Sequence, residues 1–292
     1  MTSLYSARSR AIEPFHVMAL LARANQLQAS GHDVIHLEIG EPDFTTAAPI
    51  VAAGQAALAA GHTRYTAARG LPQLREAIAG FYEQRYQLSI DPERVLITPG
   101  GSGALLLASS LLVDPGKHWL LADPGYPCNR HMVSLFGGKP VPIPVGQDSG
   151  YAVPESALAE VMKDDLRALM VASPANPTGT LLDRDELGGL SSALKARGGH
   201  LVVDEIYHGL VYEGQEHSIL EFRDQAFVLN GFSKLYAMTG FRLGYLIAPP
   251  AFIRPIQKMV QNFFISANTM VQKAGVAALT QTDDDTARMR TT

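Results

Sequence analysis

HLVVDEIYHG at 200–209 and NGFSKLYAMTGFRLG at 230–244 decide how this chain folds. In the first, the apolar run Leu201–Val203 stops at Asp204. In the second, the run Ala226–Leu229 leads into a glycine-flanked turn that holds Lys234. Short apolar runs without polar alternation read as strands buried on both faces. Five more runs share this form: Val95–Thr98, Trp119–Ala122, Val141–Pro144, Leu169–Ala172 and Leu243–Ala248. Helical patterns such as 102–112 and 183–197 separate most of them. The chain therefore reads as α/β, a three-layer sandwich built on a mostly parallel seven-stranded sheet. Residues 1–44 read as an N-terminal arm, with a helix near 17–29 and a short strand at VIHLEIG, 34–40. Residues 45–270 form the large domain. Residues 271–292 begin a further helix that runs into TDDDTARMRTT without a stop signal.

Composition narrows the function. With 292 residues, 47% apolar, the chain can bury a sizeable core. A net charge of -4 offers nothing to a polyanion, so nucleic acid is not an expected partner. No apolar run reaches membrane-spanning length, and MTSLYSARSR has no apolar signal core. The one cysteine, Cys128, cannot form an internal disulfide, and the expected location is cytoplasmic. The nine histidines show no metal-ligand spacing, so no metal is expected.

The polar signals fall just after strands. Gly101-Ser102-Gly103 follows the first run, Tyr126 the second and Asn176 the fourth; Asp204 closes the fifth and Lys234 follows the sixth. Ligands of open α/β sheets bind at this carboxyl edge, so these residues converge on one crevice.

Together they meet the needs of pyridoxal phosphate: a lysine, an acid for the ring nitrogen, a phosphate cradle and a flat side chain over the ring. A buried lysine near a second cation loses proton affinity and becomes a usable nucleophile; Arg242 would supply that charge and clamp phosphate oxygens. The plain alternative is a solvated loop lysine, against which the surrounding glycines, serine and arginine argue. Asp204 would pair with a protonated ring nitrogen, or else cap a helix, and taken alone the two readings are evenly matched. Tyr207 and Asn176 would reach the ring hydroxyl oxygen, although SPANPTG at 173–179 is also a turn on any reading. Gly101 and Ser102 would cradle phosphate at a helix N-terminus. A dinucleotide fingerprint is the rival there, but position 106 is Leu where its last glycine belongs. Tyr126 would stack on the ring, or simply serve a turn between Pro124 and Pro127. Cys128 reads as a bystander.

LEIGEPDF, HTRYTAARGLPQLREAIA, TPGGSGALLL, DPGYPCNR, SPANPTG, VVDEIYHG and GFSKLYAMTGFRLG stand in the order found in class I aminotransferases of fold type I. The chain resembles that family from about 8 to 280, and most closely its prokaryotic aspartate aminotransferase-like subgroup. The resemblance implies pyridoxal 5'-phosphate, with Lys234 as the Schiff-base lysine and proton shuttle, and Asp204 as the pyridine partner. It implies Asn176 and Tyr207 at the ring hydroxyl, and Gly101, Ser102 and Arg242 at the phosphate. Tyr126 is implied as the stacking ring, Gly40 as the backbone N–H facing the substrate carboxylate, and Asn176 as a substrate contact too. Tyr65 is implied to reach the phosphate of a partner subunit, making a homodimer that acts on an amino acid and a 2-oxo acid. Two departures stand out. Gly231 replaces a frequent serine, leaving Ser233 as a substitute hydroxyl. The arginine that anchors the substrate α-carboxylate belongs to a C-terminal small domain, on the order of a hundred residues, that lies past residue 292. The chain is expected to be C-terminally truncated, and slow or inactive alone. Two alternatives keep the same cofactor motifs: a carbon–sulfur lyase or cyclopropane-carboxylate synthase, and a non-catalytic cofactor-binding module of a regulator.

Overall fold

The computed structural model describes residues 4–160 and 165–292. All seven expected strands form: β1 (Val95–Pro99), β2 (His118–Asp123), β3 (Lys139–Pro144), β4 (Leu166–Ala172), β5 (His200–Asp204), β6 (Phe227–Gly231) and β7 (Leu243–Ile247). They make one sheet in the order β1-β7-β6-β5-β4-β2-β3. β7 pairs antiparallel with both of its neighbours, and all other pairings are parallel. Six strands thus end at one edge, and the reversed β7 begins there.

Alternate residues of each strand feed two cores, as a sheet covered on both faces requires. Ile97, Leu169, Val203, Val228 and Tyr245 pack into one core with Leu74, Ile78, Leu187 and Ala274. Those four come from the helices α4 (Pro72–Tyr86), α7 (Arg184–Ala196) and α9 (Thr269–Gln281), with α3 (Ala48–Ala59) beside them. Leu96, Trp119, Met170, Val202 and Leu246 pack into the other core with Leu107, Val133 and Ile256. Those three come from α5 (Gly100–Leu112), α6 (Cys128–Leu135) and α8 (Pro250–Phe263). The helix α10 (Asp283–Thr291) closes the chain. No helix of the described residues is long and apolar enough to cross a membrane.

Local chemistry sets the boundaries. At the start of α7, Asp183 accepts from Asp185 N and Glu186 N while Glu186 accepts from Asp183 N, a reciprocal capping box. α4 opens on Pro72 and closes on Gln87 in the left-handed region. α9 is bound into the first core, with Gln272, Ala274, Gly275, Ala277 and Ala278 buried. The boundary expected at 270/271 therefore falls inside a helix that packs on the large domain.

The arm departs from expectation in one respect. The helix α2 (His16–Ala29) forms after the short α1 (Ala7–Ala11), but 34–40 is not a strand. Ile35 is 82% and Leu37 87% exposed. A strand needs a neighbour for its backbone groups, and among the described residues 34–40 pairs with none of the seven strands. Neither α1 nor α2 buries a residue. The arm is held by point contacts: Arg8 to the Leu135 carbonyl, Arg130 to Glu13, and Phe15 edge-on to Tyr126.

Candidate active site

The carboxyl edge of the sheet gathers the residues singled out in the sequence. Asp204 ends β5, Asn176 follows β4, Tyr126 follows β2 and Gly101 and Ser102 open α5 after β1. Lys234 follows β6. Arg242 reaches the same edge because it immediately precedes the reversed strand β7.

Lys234 Nζ donates to the Gly40 carbonyl at 2.6 Å and stands 5.8 Å from the centre of the Tyr207 ring. Burial holds its proton affinity below the ordinary lysine value. The Arg242 guanidinium adds to that, while Glu41 and Asp204 oppose it. Thr239 hydrogen-bonds Glu41, so residues 40–41 of the arm are tied to the cation-bearing turn at two points.

Asp204 is pushed up to about 6 by burial. The Ile206 N–H bond favours its charge, and Glu205 beside it opposes that charge. Ile206 N donates to its Oδ1 at 3.0 Å. Hydrogen-bonded turns rather than a helix follow it, so the helix-cap alternative does not hold. A carboxylate buried in this way, with one backbone donor, is underpaired until a cation meets it. Tyr207 accepts from Asn176 Nδ2 at 3.4 Å, so the amide and phenol converge as one shared ring oxygen requires. Burial and Asp204 raise the Tyr207 phenol above its ordinary range. Burial and its hydrogen bond to Cys128 do the same to Tyr126.

The phosphate end is built on close backbone approach. Gly100 has φ +69°, and a Cβ there would lie 2.5 Å from Arg242 Nη2. A Cβ on Gly244 would lie 2.5 Å from Gly100 C and 2.6 Å from Gly101 N. Both glycines let the guanidinium sit against the N-terminus of α5, whose first-turn N–H groups lack intrahelical partners and where Ser102 is exposed, a setting suited to an anion. Arg242 Nη1 is oriented by the Thr239 carbonyl at 2.8 Å. Gly231 also has a packing reason: a Cβ would sit 3.1 Å from the Leu243 carbonyl oxygen and 3.3 Å from Gly244 Cα. A serine there would press on β7. Ser233 is buried on the lysine's turn.

Two expected residues are placed differently from the rest: Gly40 lies at the lysine, and Tyr65 lies out on the surface. Gly40 presents its carbonyl to Lys234. Tyr65 is 78% exposed, on a loop whose neighbours are pinned by Ser266 Oγ to Thr66 N and by Thr269 to the Arg64 carbonyl. Phe15 and Glu41 were not singled out from sequence. The GEPDF segment that carries Glu41 was an available signal, whereas nothing local marks Phe15.

The donor set fits pyridoxal phosphate. An amine with lowered proton affinity, an underpaired carboxylate and an anion cradle that a single Cβ would fill all stand at the same carboxyl edge of the sheet. Comparisons with known proteins agree. Residues 32–292 match the family described as aminotransferase class I and II. The (5-formylfuran-3-yl)methyl phosphate transaminase of Methanocaldococcus jannaschii is 41% identical over 278 residues, 94% of this chain and 72% of that protein. The valine–pyruvate aminotransferase of Mycobacterium tuberculosis is 39% identical over 92% of this chain and 70% of its own length. The crystal structure of an aminotransferase from Mycobacterium tuberculosis superposes with a TM-score of 0.94 at 38% identity, covering 99% of this chain and 74% of that one. With its sheet order, its carboxyl-edge crevice and these relatives, the chain belongs to the class I and II aminotransferases, enzymes that use pyridoxal phosphate to exchange amino groups between amino acids and 2-oxo acids.

Proposed function

We propose that Lys234 is the residue that binds pyridoxal phosphate covalently and then moves the substrate proton. The observation that carries this is the setting of its half-buried amine, which donates to the Gly40 carbonyl beside the Tyr207 ring, within the fields of Asp204 and Arg242. The bound cofactor supplies an electron sink for the charge left at the substrate Cα. The chain supplies the rest. Asp204 holds a proton at the cofactor ring nitrogen. Asn176 and Tyr207 orient the ring through its hydroxyl oxygen, and Tyr126 covers one ring face. Gly101, Ser102 and Arg242 bind the phosphate, with Ser233 as a further hydroxyl on the lysine's turn. Lys234 Nζ would take the proton from the amino-acid Cα; its lowered proton affinity favours a neutral amine for that work. Gly40 N–H and Asn176 face the substrate carboxylate.

The same reading makes the enzyme a homodimer. Arg242 borders a groove of about 1050 Å³ lined also by Phe44, Val51, Phe241, Ser266 and Asn268. A second copy seated there brings its exposed Tyr65 to the phosphate. The single cysteine suits a reducing compartment, and we place the enzyme in the cytoplasm on that ground. We further read 45–281 as the cofactor-bearing body and the preceding residues as an arm over the crevice.

Borohydride reduction of the cofactor-loaded chain followed by peptide mapping tests the lysine. The cofactor mass is expected on the peptide containing Lys234. Label on Lys139, Lys195 or Lys258 in its place would overturn the assignment.

A further inference from the structure

Directly beneath the Asp204–Tyr207 turn lies a buried polar cluster that the chemistry above does not use. Its centre is Glu205, 0% exposed, with His208 at 2%. Glu205 N donates to the Leu229 carbonyl at 2.8 Å, so the turn is stitched to β6. The carboxylate accepts from Tyr82 OH at 3.0 Å, Ser218 Oγ at 2.9 Å and Ile219 N at 3.0 Å. His208 Nδ1 lies 3.6 Å from Glu205 Oε2 and 2.5 Å from Tyr86 OH. Tyr86 also donates to Glu216, which pairs with Arg85 and accepts from Gly209 N at 2.8 Å. Tyr245 of β7 contacts Tyr82 ring to ring from the other side. Asp204 and Tyr207 thus face the crevice from a turn whose other two polar residues are anchored to α4, to β6 and to the loop at 216–219.

An apolar side chain would pin this turn to α4 at lower desolvation cost than a carboxylate with only neutral donors in direct hydrogen-bond contact. Three donors converge on that carboxylate, and in its ionised form it adds a negative charge one residue behind Asp204. We propose that Glu205, supported by Tyr82 and His208, is a positioning residue that keeps the proton on the Asp204–cofactor nitrogen pair by holding that charge behind it. This rests on the reading of Lys234 and Asp204 given above. A negative charge stabilises a nearby bound proton, and one buried charge shifts a neighbouring titration by on the order of one unit. The titratable groups around Glu205 are His208 on its own turn, Tyr82 and Tyr86 of α4, and Tyr245 of β7, with Asp204 preceding it in the chain and turned to the crevice. Arg85 and Glu216 form the outer pair. Burial holds the Glu205 carboxyl's own proton affinity above its ordinary value, and His208 and the three donors work against that rise without cancelling it.

The test is the absorbance of the cofactor-loaded chain titrated with pH, together with cofactor dissociation and the melting temperature. Glu205→Gln keeps the shape and removes the charge. Its absorbance midpoint is expected to fall by on the order of one unit, with cofactor binding weakened several-fold. Glu205→Asp keeps the charge; its midpoint should stay near that of the parent even though shortened contacts lower its melting temperature. Tyr82→Phe removes one donor to the carboxylate and should move the midpoint downward by less, which serves if Glu205→Gln does not fold. Midpoints unchanged in both Glu205→Gln and Tyr82→Phe would overturn the proposal and leave Glu205 a structural residue. If the parent chain shows no cofactor band, or Lys234→Ala retains it, the reading of the site itself fails.

Discussion

Asp204 is the residue at which structure and chemistry pull hardest against each other. Its carboxyl is raised to about 6 by burial. In an unfolded chain it would titrate near the ordinary aspartate value. The folded state therefore holds its proton more tightly. The resulting penalty is absent below the unfolded value, grows as pH rises towards about 6 and is fully present above it. Asp204→Asn should accordingly melt higher than the parent at pH 7 when both are free of cofactor. The advantage should vanish near pH 4. Thermal denaturation at the two pH values checks this, and a variant less stable at pH 7 would contradict it. With cofactor and substrate present the ranking reverses in rate. Loss of the charged partner should slow proton abstraction by roughly a hundredfold, about 3 kcal/mol. Single-turnover absorbance measurements read that step directly.

At the scale of the element, the phosphate end depends on β7 lying against the first turn of α5. A methyl group on Gly244 would have to occupy space taken by Gly100 and Gly101 backbone. Backbone cannot swing aside as a long side chain can. Gly244→Ala should destabilise the fold by about 1–3 kcal/mol and weaken cofactor binding by at least tenfold. Gly240→Ala is the matched control, because nothing lies within 4 Å of a Cβ at that position. Denaturant unfolding and cofactor dissociation, measured on both variants, separate a specific crowding of the cradle from a general effect of losing a glycine. Equal behaviour of the two would show that β7 and α5 do not meet as tightly as drawn. Gly231 belongs to the same strip of close packing, which accounts for the glycine at that position.

At the scale of the whole molecule, the proposed homodimer makes a prediction about Tyr65. Tyr65 projects from a loop pinned by Ser266 and Thr269 and has most of its surface exposed. If it serves a partner's phosphate, a Lys234→Ala chain and a Tyr65→Ala chain are each defective but complement when mixed. A hybrid dimer then contains one site with both residues intact. Tight cofactor binding should return in about half of the hybrid's sites, by direct count of one restored site in two. No recovery after refolding the two chains together would place Tyr65 outside the site. The seven strands, their order along the chain and the convergence of Gly101, Tyr126, Asn176, Asp204 and Lys234 were all legible in the sequence. Apolar runs and turn residues are local properties, and strand ends in a parallel sheet share an edge whatever their neighbours. The cofactor followed from which side chains stood at that edge. Tertiary structure alone decided the rest. The reversal of β7, which brings Arg242 to the crevice, depends on pairing with strands distant in sequence. Whether 34–40 becomes a strand depends on a pairing partner from elsewhere in the chain, and it pairs with none of the described strands. Contacts such as Phe15 with Tyr126, Lys234 with Gly40 and Glu205 with Tyr82 join residues far apart in the chain. No local pattern encodes such contacts, because their energy exists only once the cores have formed and excluded water around them.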